Sequence, residues 1–357
     1  MSPQVPVPHE LAEALRQRVL GQEEAVREMA IAISKKASGL AVGHILMIGS
    51  SGTGKTTLMR AVEDFLASRA DLAARSAVVR LHANVLGEEA EAGRPGAAVF
   101  RRLLDRAREQ LGVEAGAAAL LERASQGLVF VDEVDKIRSH VGGQPNPRGI
   151  RAQEALLTLM ENERVPFDLP DWLGGGQATL DSKGLLFVCA GAFEGLYDAV
   201  FDRVTIGEDK GALQPVTVVE DGKVVERLIF HLGEWLRNDD LFDYGMTPQF
   251  LARFDAVVLL RDLDVEVLTR IFLDNPDSGF HQTRAYFESR GIKLAISPNA
   301  VQAIAEAAAR QPRLGARALK EVFRRVVRDL EYEPDQAASS GVVLVDLPQV
   351  EKALRNQ

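Results

Sequence analysis

Between Gly49 and Thr57 the chain reads Gly-Ser-Ser-Gly-Thr-Gly-Lys-Thr-Thr, which sets three glycines, a lysine and hydroxyls at the spacing G-x-x-x-x-G-K-T. That spacing suits a phosphate chain. Gly49, Gly52 and Gly54 permit backbone angles and close approaches that a Cβ would forbid, so the N–H groups of Ser50, Ser51, Gly52, Thr53 and Gly54 can converge on phosphate oxygens. Lys55 then reaches the outer phosphates and the Thr56 hydroxyl is placed to ligate Mg²⁺. Thr57 follows in the first turn of a helix whose positive end faces the anion. The apolar run Ile45 to Ile48 predicts a buried strand before the loop, and Leu58, Val62, Phe65 and Leu66 predict the helix after it.

A second set of groups lies about eighty residues downstream. Leu128-Val129-Phe130-Val131 predicts a buried strand, and Asp132-Glu133 ends it in two carboxylates. At the carboxyl edge of a parallel sheet, Asp132 is placed to hold the hydrated Mg²⁺ that Thr56 also touches, and Glu133 to orient and deprotonate an attacking water. Acidic residues after a strand also serve simply as helix caps. The phosphate loop upstream tips the reading toward nucleoside triphosphate hydrolysis.

Stepping along the chain gives the elements that must hold these groups. Leu11 and Leu15, then Val26, Met29, Ala30 and Ile33, predict two short helices around a Gly21-Gln22 turn. Val78 to Leu81 predicts a strand, Gly87 to Gly96 a glycine-rich loop, and Phe100, Leu103, Leu104, Ala107 and Leu111 an amphipathic helix. Ser139 to Gly149 predicts a mobile loop, Leu156, Leu157 and Met160 a helix, and Asp168 to Lys183 an exposed excursion carrying Trp172. Leu185 to Cys189 predicts another buried strand. Asp221-Gly222 between Val216–Val219 and Lys223–Glu226 predicts a protruding hairpin, and Thr247-Pro248 a capped helix carrying Arg253. Alternating strands and helices imply an α/β fold with a parallel sheet. From Val265 the pattern is mostly helical, with a terminal strand at Val342 to Val345, so the chain divides into a large α/β domain (1–260) and a small helical domain (261–357).

Composition narrows the class. The 357 residues are 46% apolar and 26% charged, with a net charge of −9, which argues against a general affinity for nucleic acid. A single cysteine, Cys189, excludes an internal disulfide and a Cys-rich zinc module, and fits a reducing compartment. No apolar run approaches a membrane span, and Met1 to Pro8 lacks a signal core. A cytoplasmic protein with no membrane partner is expected.

The succession Val19-Leu20-Gly21-Gln22, the phosphate loop, Val131-Asp132-Glu133-Val134-Asp135-Lys136-Ile137, Ala190-Gly191-Ala192-Phe193, Phe250-Leu251-Ala252-Arg253 and Gly315-Ala316-Arg317 resembles the ClpX family of AAA+ unfoldases, with HslU as a near relative. The resemblance runs from about His9 to Asp335. It implies an AAA+ P-loop fold with a helical lid, ATP with Mg²⁺ as cofactor, a protein substrate or partner, and a homo-oligomeric ring, a hexamer in that family. It also implies that Val19 and Leu20 cradle adenine and that Arg253 is an arginine finger acting on the neighbouring subunit's nucleotide. Arg317 would contact nucleotide from the small domain of its own chain. Fingers of this kind are worth about 10³ to 10⁵ in rate.

Four departures from the family pattern shape the expected function. Where the family carries Gly-Tyr-Val-Gly on a loop that pushes a polypeptide, this chain has Gly93-Arg94-Pro95-Gly96. A single cysteine cannot build the family's zinc-binding module, and no Ile-Gly-Phe tripeptide for docking a protease chamber is found, Ile206-Gly207-Glu208 being nearest. A basic Arg-Lys-His loop is replaced by the Trp172 and triple-glycine segment. The expectation is an ATPase that remodels a dedicated protein partner without the usual protease. The alternatives are an ATP-switched assembly protein that binds a partner without threading it, or a protease-coupled unfoldase with an unusual pore loop.

Overall fold

In the computed structural model, which describes residues 5–69, 77–161, 164–220, 223–227 and 230–355, five parallel strands form one sheet. Their order is Phe254–Leu259, His44–Ile48, Leu186–Gly191, Leu128–Asp132, Val78–His82. The central strands are continuous apolar runs because both faces of a parallel sheet are covered. On one face Leu46, Ile48, Val129, Val131, Phe187 and Cys189 share a core with Phe100, Leu103 and Leu104 of helix Ala97–Leu111 and with Leu156 and Leu159 of helix Pro147–Met160. Cys189 is fully buried and burial pushes its thiol pKa up, so it is a small core residue and not a nucleophile.

Contacts divide the chain into two compact units that do not follow the linear order. The described residues within 35–48 and 67–259 make one unit, which contains the sheet. Residues 6–34, 49–66 and 260–355 make the other, so the phosphate loop is grouped with the N-terminal and C-terminal helices. In the second unit helices Val265–Asp274, Gly279–Glu288, Pro298–Ala309 and Ala316–Tyr332 surround a core that includes Leu268, Phe272, Phe287, Ile304 and Phe323. Asp264 and Ser297 cap two of these helices, accepting from Val267 N (2.8 Å) and Ala300 N (3.3 Å), each cap being worth about 1 kcal/mol.

Several segments differ from the sequence reading. Of the stretch expected as a glycine-rich loop, residues 87–91 belong to helix Ala83–Glu91, in which Gly87 is buried against Arg148 of helix Pro147–Met160, and residues 92–96 are turn. The loop expected over 139–149 is two short paired strands, His140–Val141 and Gln144–Pro145, followed at once by that helix, whose cap is Asn146. The excursion over 168–183 is an antiparallel pair, Arg164–Asp168 with Gln177–Asp181. Its Trp172 packs on the core under the Arg108 guanidinium, 4.4 Å from the ring centroid. The helix after Thr247 is only Pro248–Leu251, and Phe254 already belongs to the edge strand. The hairpin strands Val216–Glu220 and Lys223–Arg227 pair antiparallel, while its expected turn Asp221-Gly222 lies outside the described residues. Helices Ala117–Ser125, Leu196–Thr205 and Leu347–Arg355 were not anticipated from the sequence.

Candidate functional site

The phosphate loop is set by glycine geometry and by two buried polar anchors. Gly52 and Gly54 take φ +74° and +107°, values open to glycine and strained for other residues. Thr53 is almost fully buried, and its hydroxyl donates to Ser50 O at 2.8 Å. Gln22, in the turn that carries Val19 and Leu20, donates through Nε2 to Thr53 O (3.0 Å) and Arg261 O (2.8 Å), and accepts from Arg261 N (2.9 Å). One buried amide therefore ties the loop to both chain segments beside it. Val19 is buried, and its Cγ1 lies 3.8 Å from where a Cβ on Gly54 would stand.

Lys55 opens helix Lys55–Ser68 and is only 8% exposed. Its ammonium donates to Ser50 O at 2.8 Å and also to Gly49 O, so the charge is held over the loop that precedes it. Ser50, Ser51 and Thr56 are half-buried and Thr57 is exposed. On the C-terminal side, Ala316 N donates to Gly52 O (3.1 Å), and the exposed Arg317 follows in the first turn of helix Ala316–Tyr332.

In the sheet, Ile48 and Asp132 are the last residues of their strands, separated by Leu186–Gly191, and the phosphate loop follows Ile48 directly. Asp132 Oδ1 accepts from Glu133 N at 2.9 Å. Glu133 has φ 61°, a left-handed conformation that costs a non-glycine residue about 1 kcal/mol or more and that clusters at functional positions. Its carboxylate is half-exposed and lies 3.6 Å from Nδ1 of His82, the residue paired with Asp132 on the neighbouring strand. Asp135, nearly fully buried, accepts from Ala192 N at 3.1 Å, and its other oxygen lies 3.3 Å from the Lys136 ammonium. Phe193, just past strand Leu186–Gly191, is the other left-handed residue here, with φ 51°.

Arg253 lies just past helix Pro248–Leu251, between Phe250 and Phe254 in the sequence, whose buried rings meet edge to face at 5.0 Å. Its guanidinium donates from Nη2 to Glu161 Oε1 at 2.7 Å. The hydroxyl of Thr247 does not cap this helix. With its own N–H it donates to Gln153 Oε1, at 2.9 and 2.8 Å, while Gln153 Nε2 donates to Ile137 O (2.7 Å) and Gly245 O (2.9 Å). Gln153 is 1% exposed, and both donors and both acceptor positions of its amide are used.

His82, Gln153 and Glu161 are absent from the sequence reading. Gln153 was detectable in principle, since it falls on the stripe of Leu156 and Met160 and a polar residue in a buried stripe signals an internal network. Nothing local marks His82 or Glu161. Between the two helices Ala83–Glu91 and Ala97–Leu111, the Gly93-Arg94-Pro95-Gly96 segment is a closed turn, Arg94 N donating to Glu89 O (2.9 Å) and Ala97 N to Arg94 O (3.3 Å), with the Arg94 side chain exposed.

The five-stranded parallel sheet, the phosphate loop and the paired carboxylates define a P-loop ATPase fold, and comparison with known proteins gives its family. Residues 40–257 match the AAA domain (Cdc48 subfamily), and the chain belongs to that family; it is an ATPase. Residues 264–332 match the C-terminal, D2-small domain of ClpB protein. The chain is 29% identical to the ATP-dependent Clp protease ATP-binding subunit ClpX 3 of Methylococcus capsulatus, over 97% of this chain and 81% of that protein. It is 28% identical to the ClpX subunit of Bacteroides thetaiotaomicron (98% and 83%) and 27% identical to that of Azotobacter vinelandii (96% and 78%). Within the AAA family it is therefore ClpX-like. Among the described residues, no helix is long and apolar enough to cross a membrane.

Proposed function

We propose that this ATPase uses ATP hydrolysis in a homo-oligomeric ring, a hexamer by resemblance, to remodel or unfold a dedicated protein partner. The observation that carries the reading is a full set of hydrolytic groups in a chain whose substrate-facing loop bears Arg94-Pro95. Residues 1–260 would carry the nucleotide machinery and residues 261–357 the lid.

The residues fit Mg²⁺ and ATP. Gly52 and Gly54 hold the loop in left-handed backbone angles that side-chain-bearing residues avoid, and Lys55 is a buried ammonium on backbone carbonyls, one of which it would trade for a phosphate oxygen. Ser50, Ser51, Gly52, Thr53, Gly54, Thr56 and Thr57 would surround the phosphates, with Val19 and Leu20 at the base and Arg317 contacting nucleotide from the lid. Thr56 and Asp132 offer the hard oxygen donors that Mg²⁺ prefers. Bound metal would neutralise charge on the phosphates. Glu133 would accept the proton of the attacking water through its half-exposed carboxylate beside His82. Arg253 would stabilise charge on the nucleotide of the next subunit.

The ClpX relatives are named as subunits of a protease. For this chain a protease chamber is doubtful, because Ile206-Gly207-Glu208 lacks the aromatic of the docking tripeptide. A second reading, an ATP-switched assembly protein, is favoured by one observation: Arg94 sits on a closed turn stiffened by Pro95 and offers no flat apolar paddle. The test begins with Glu133→Gln, which should bind ATP without hydrolysing it, and Arg253→Ala, which should lose hydrolysis with affinity retained. Normal turnover in both sinks the assignment. The partner captured by ATP-loaded Glu133→Gln protein is then fused to a stable fluorescent domain. ATP-dependent loss of fluorescence supports remodelling by unfolding, and release with fluorescence intact supports the switch.

A further inference from the structure

We infer that Glu161 is the positioning residue for Arg253, holding its guanidinium in the orientation in which it meets the neighbouring subunit's nucleotide. The inference rests on the finger reading of Arg253 given above. Glu161 caps the C-terminal end of helix Pro147–Met160, and its Oε1 accepts from Arg253 Nη2 at 2.7 Å.

The pair is 42% and 32% exposed at the arginine and glutamate side chains, and ion pairs so placed add little to folding stability. What such a bond does is remove rotamer freedom from a long side chain. An arginine has five N–H donors in a rigid fork, and Glu161 engages Nη2 alone, leaving the remaining donors for an incoming oxyanion. A second observation makes the arrangement specific. The same helix holds the backbone that carries Arg253, because Gln153 in its first half accepts both the N–H and the hydroxyl of Thr247, at the start of helix Pro248–Leu251. Two residues of one helix, roughly 12 Å apart along its axis, thus fix the base and the tip of the arginine. Pre-set orientation matters because a charge aimed before the reaction needs no reorganisation during it.

The experiment measures steady-state ATP hydrolysis by the assembled full-length chain, for Glu161→Ala, Glu161→Gln, Arg253→Ala and Glu161→Ala with Arg253→Ala. Loss of pre-set orientation should lower kcat of Glu161→Ala by roughly three- to thirty-fold, with KM for ATP, sedimentation of the assembly and the thermal unfolding midpoint unchanged. Glu161→Gln, which keeps an acceptor oxygen, should recover most of the rate, and Glu161→Ala should add nothing in the Arg253→Ala background. Unchanged or faster hydrolysis by Glu161→Ala beside an inactive Arg253→Ala overturns the positioning role alone. So does an equal further loss in the double variant. Full activity of Arg253→Ala overturns the finger reading itself, and this inference with it.

Discussion

Gly52 of the phosphate loop and Gly315, ahead of helix Ala316–Tyr332, meet backbone to backbone. A Cβ on Gly52 would stand 2.2 Å from Leu314 O, and one on Gly315 would stand 2.7 Å from the carbonyl of Gly52. Gly315 also takes φ 50° with ψ −134°, a conformation that side-chain-bearing residues avoid. Neither glycine is explained by phosphate binding alone. Gly315→Ala is expected to cost about 1 to 3 kcal/mol of stability and to weaken nucleotide binding, since the loop must shift to admit the methyl. Urea unfolding with and without nucleotide checks both effects.

The left-handed backbone of Glu133 separates chemistry from stability. Glu133→Ala and Glu133→Gly should both lose hydrolysis, as neither offers a carboxylate. Glycine relieves the strain at φ 61°, so Glu133→Gly should be more stable than Glu133→Ala by about 1 kcal/mol. Urea midpoints of the two inactive variants, compared at equal slope, decide it; equal midpoints would mean that the strain is absorbed elsewhere.

Gln153 closes four hydrogen bonds in a site with almost no solvent. Gln153→Leu leaves two carbonyl oxygens and the Thr247 donors without their partner, so a loss of about 3 kcal/mol or more is expected. Thr247→Val removes only the hydroxyl bond and should cost about 1 kcal/mol. A loss for Thr247→Val as large as that for Gln153→Leu would contradict this division.

Lys36 gives a pH signature. Burial lowers its pKa to about 8, while its Nζ donates to Gly184 O at 2.6 Å. The unfolded chain keeps its proton up to the ordinary lysine value of 10.5, so between about pH 8 and 10.5 the unfolded state binds more protons than the native state. Stability contributed by this group therefore rises with pH across that window, by up to roughly 3 kcal/mol, and is flat below it. Lys36→Met removes the titration. The difference in unfolding free energy between wild type and Lys36→Met, followed from pH 7 to 10, should grow in favour of wild type above about pH 8. A pH-independent difference would refute the assignment.

The parts legible in the sequence were those encoded within a few residues. The strands ending at Ile48 and Asp132 are short apolar runs, and the loop from Gly49 to Thr56 is defined by residues whose special geometry is local. Ser297-Pro298 announced its helix because the cap and the first-turn proline act at short range. Glycine is a poor guide to a loop where packing selects it: Gly87 lies inside a helix because Arg148 approaches closely there. Asn146-Pro147, a cap and first-turn proline in the stretch expected as a loop, carried the opposite signal and was outweighed by the glycines around it. Glu161 escaped because its partner Arg253 is distant in sequence, and an ion pair has no periodicity to reveal it.

The grouping of the phosphate loop with the C-terminal helices also sets a schedule for biosynthesis. Strands of the sheet are completed once the ribosome has passed Leu259, but Gly52 O waits for the N–H of Ala316, about 260 residues behind it on the nascent chain. At roughly 5 to 20 residues per second, that is a delay of some tens of seconds at the slow end, during which Gly49 to Leu66 has emerged without the C-terminal half of its unit. A stop codon anywhere between Thr57 and Gly315 would therefore release a chain that retains every residue of the phosphate-binding motif and lacks the backbone against which that motif is seated.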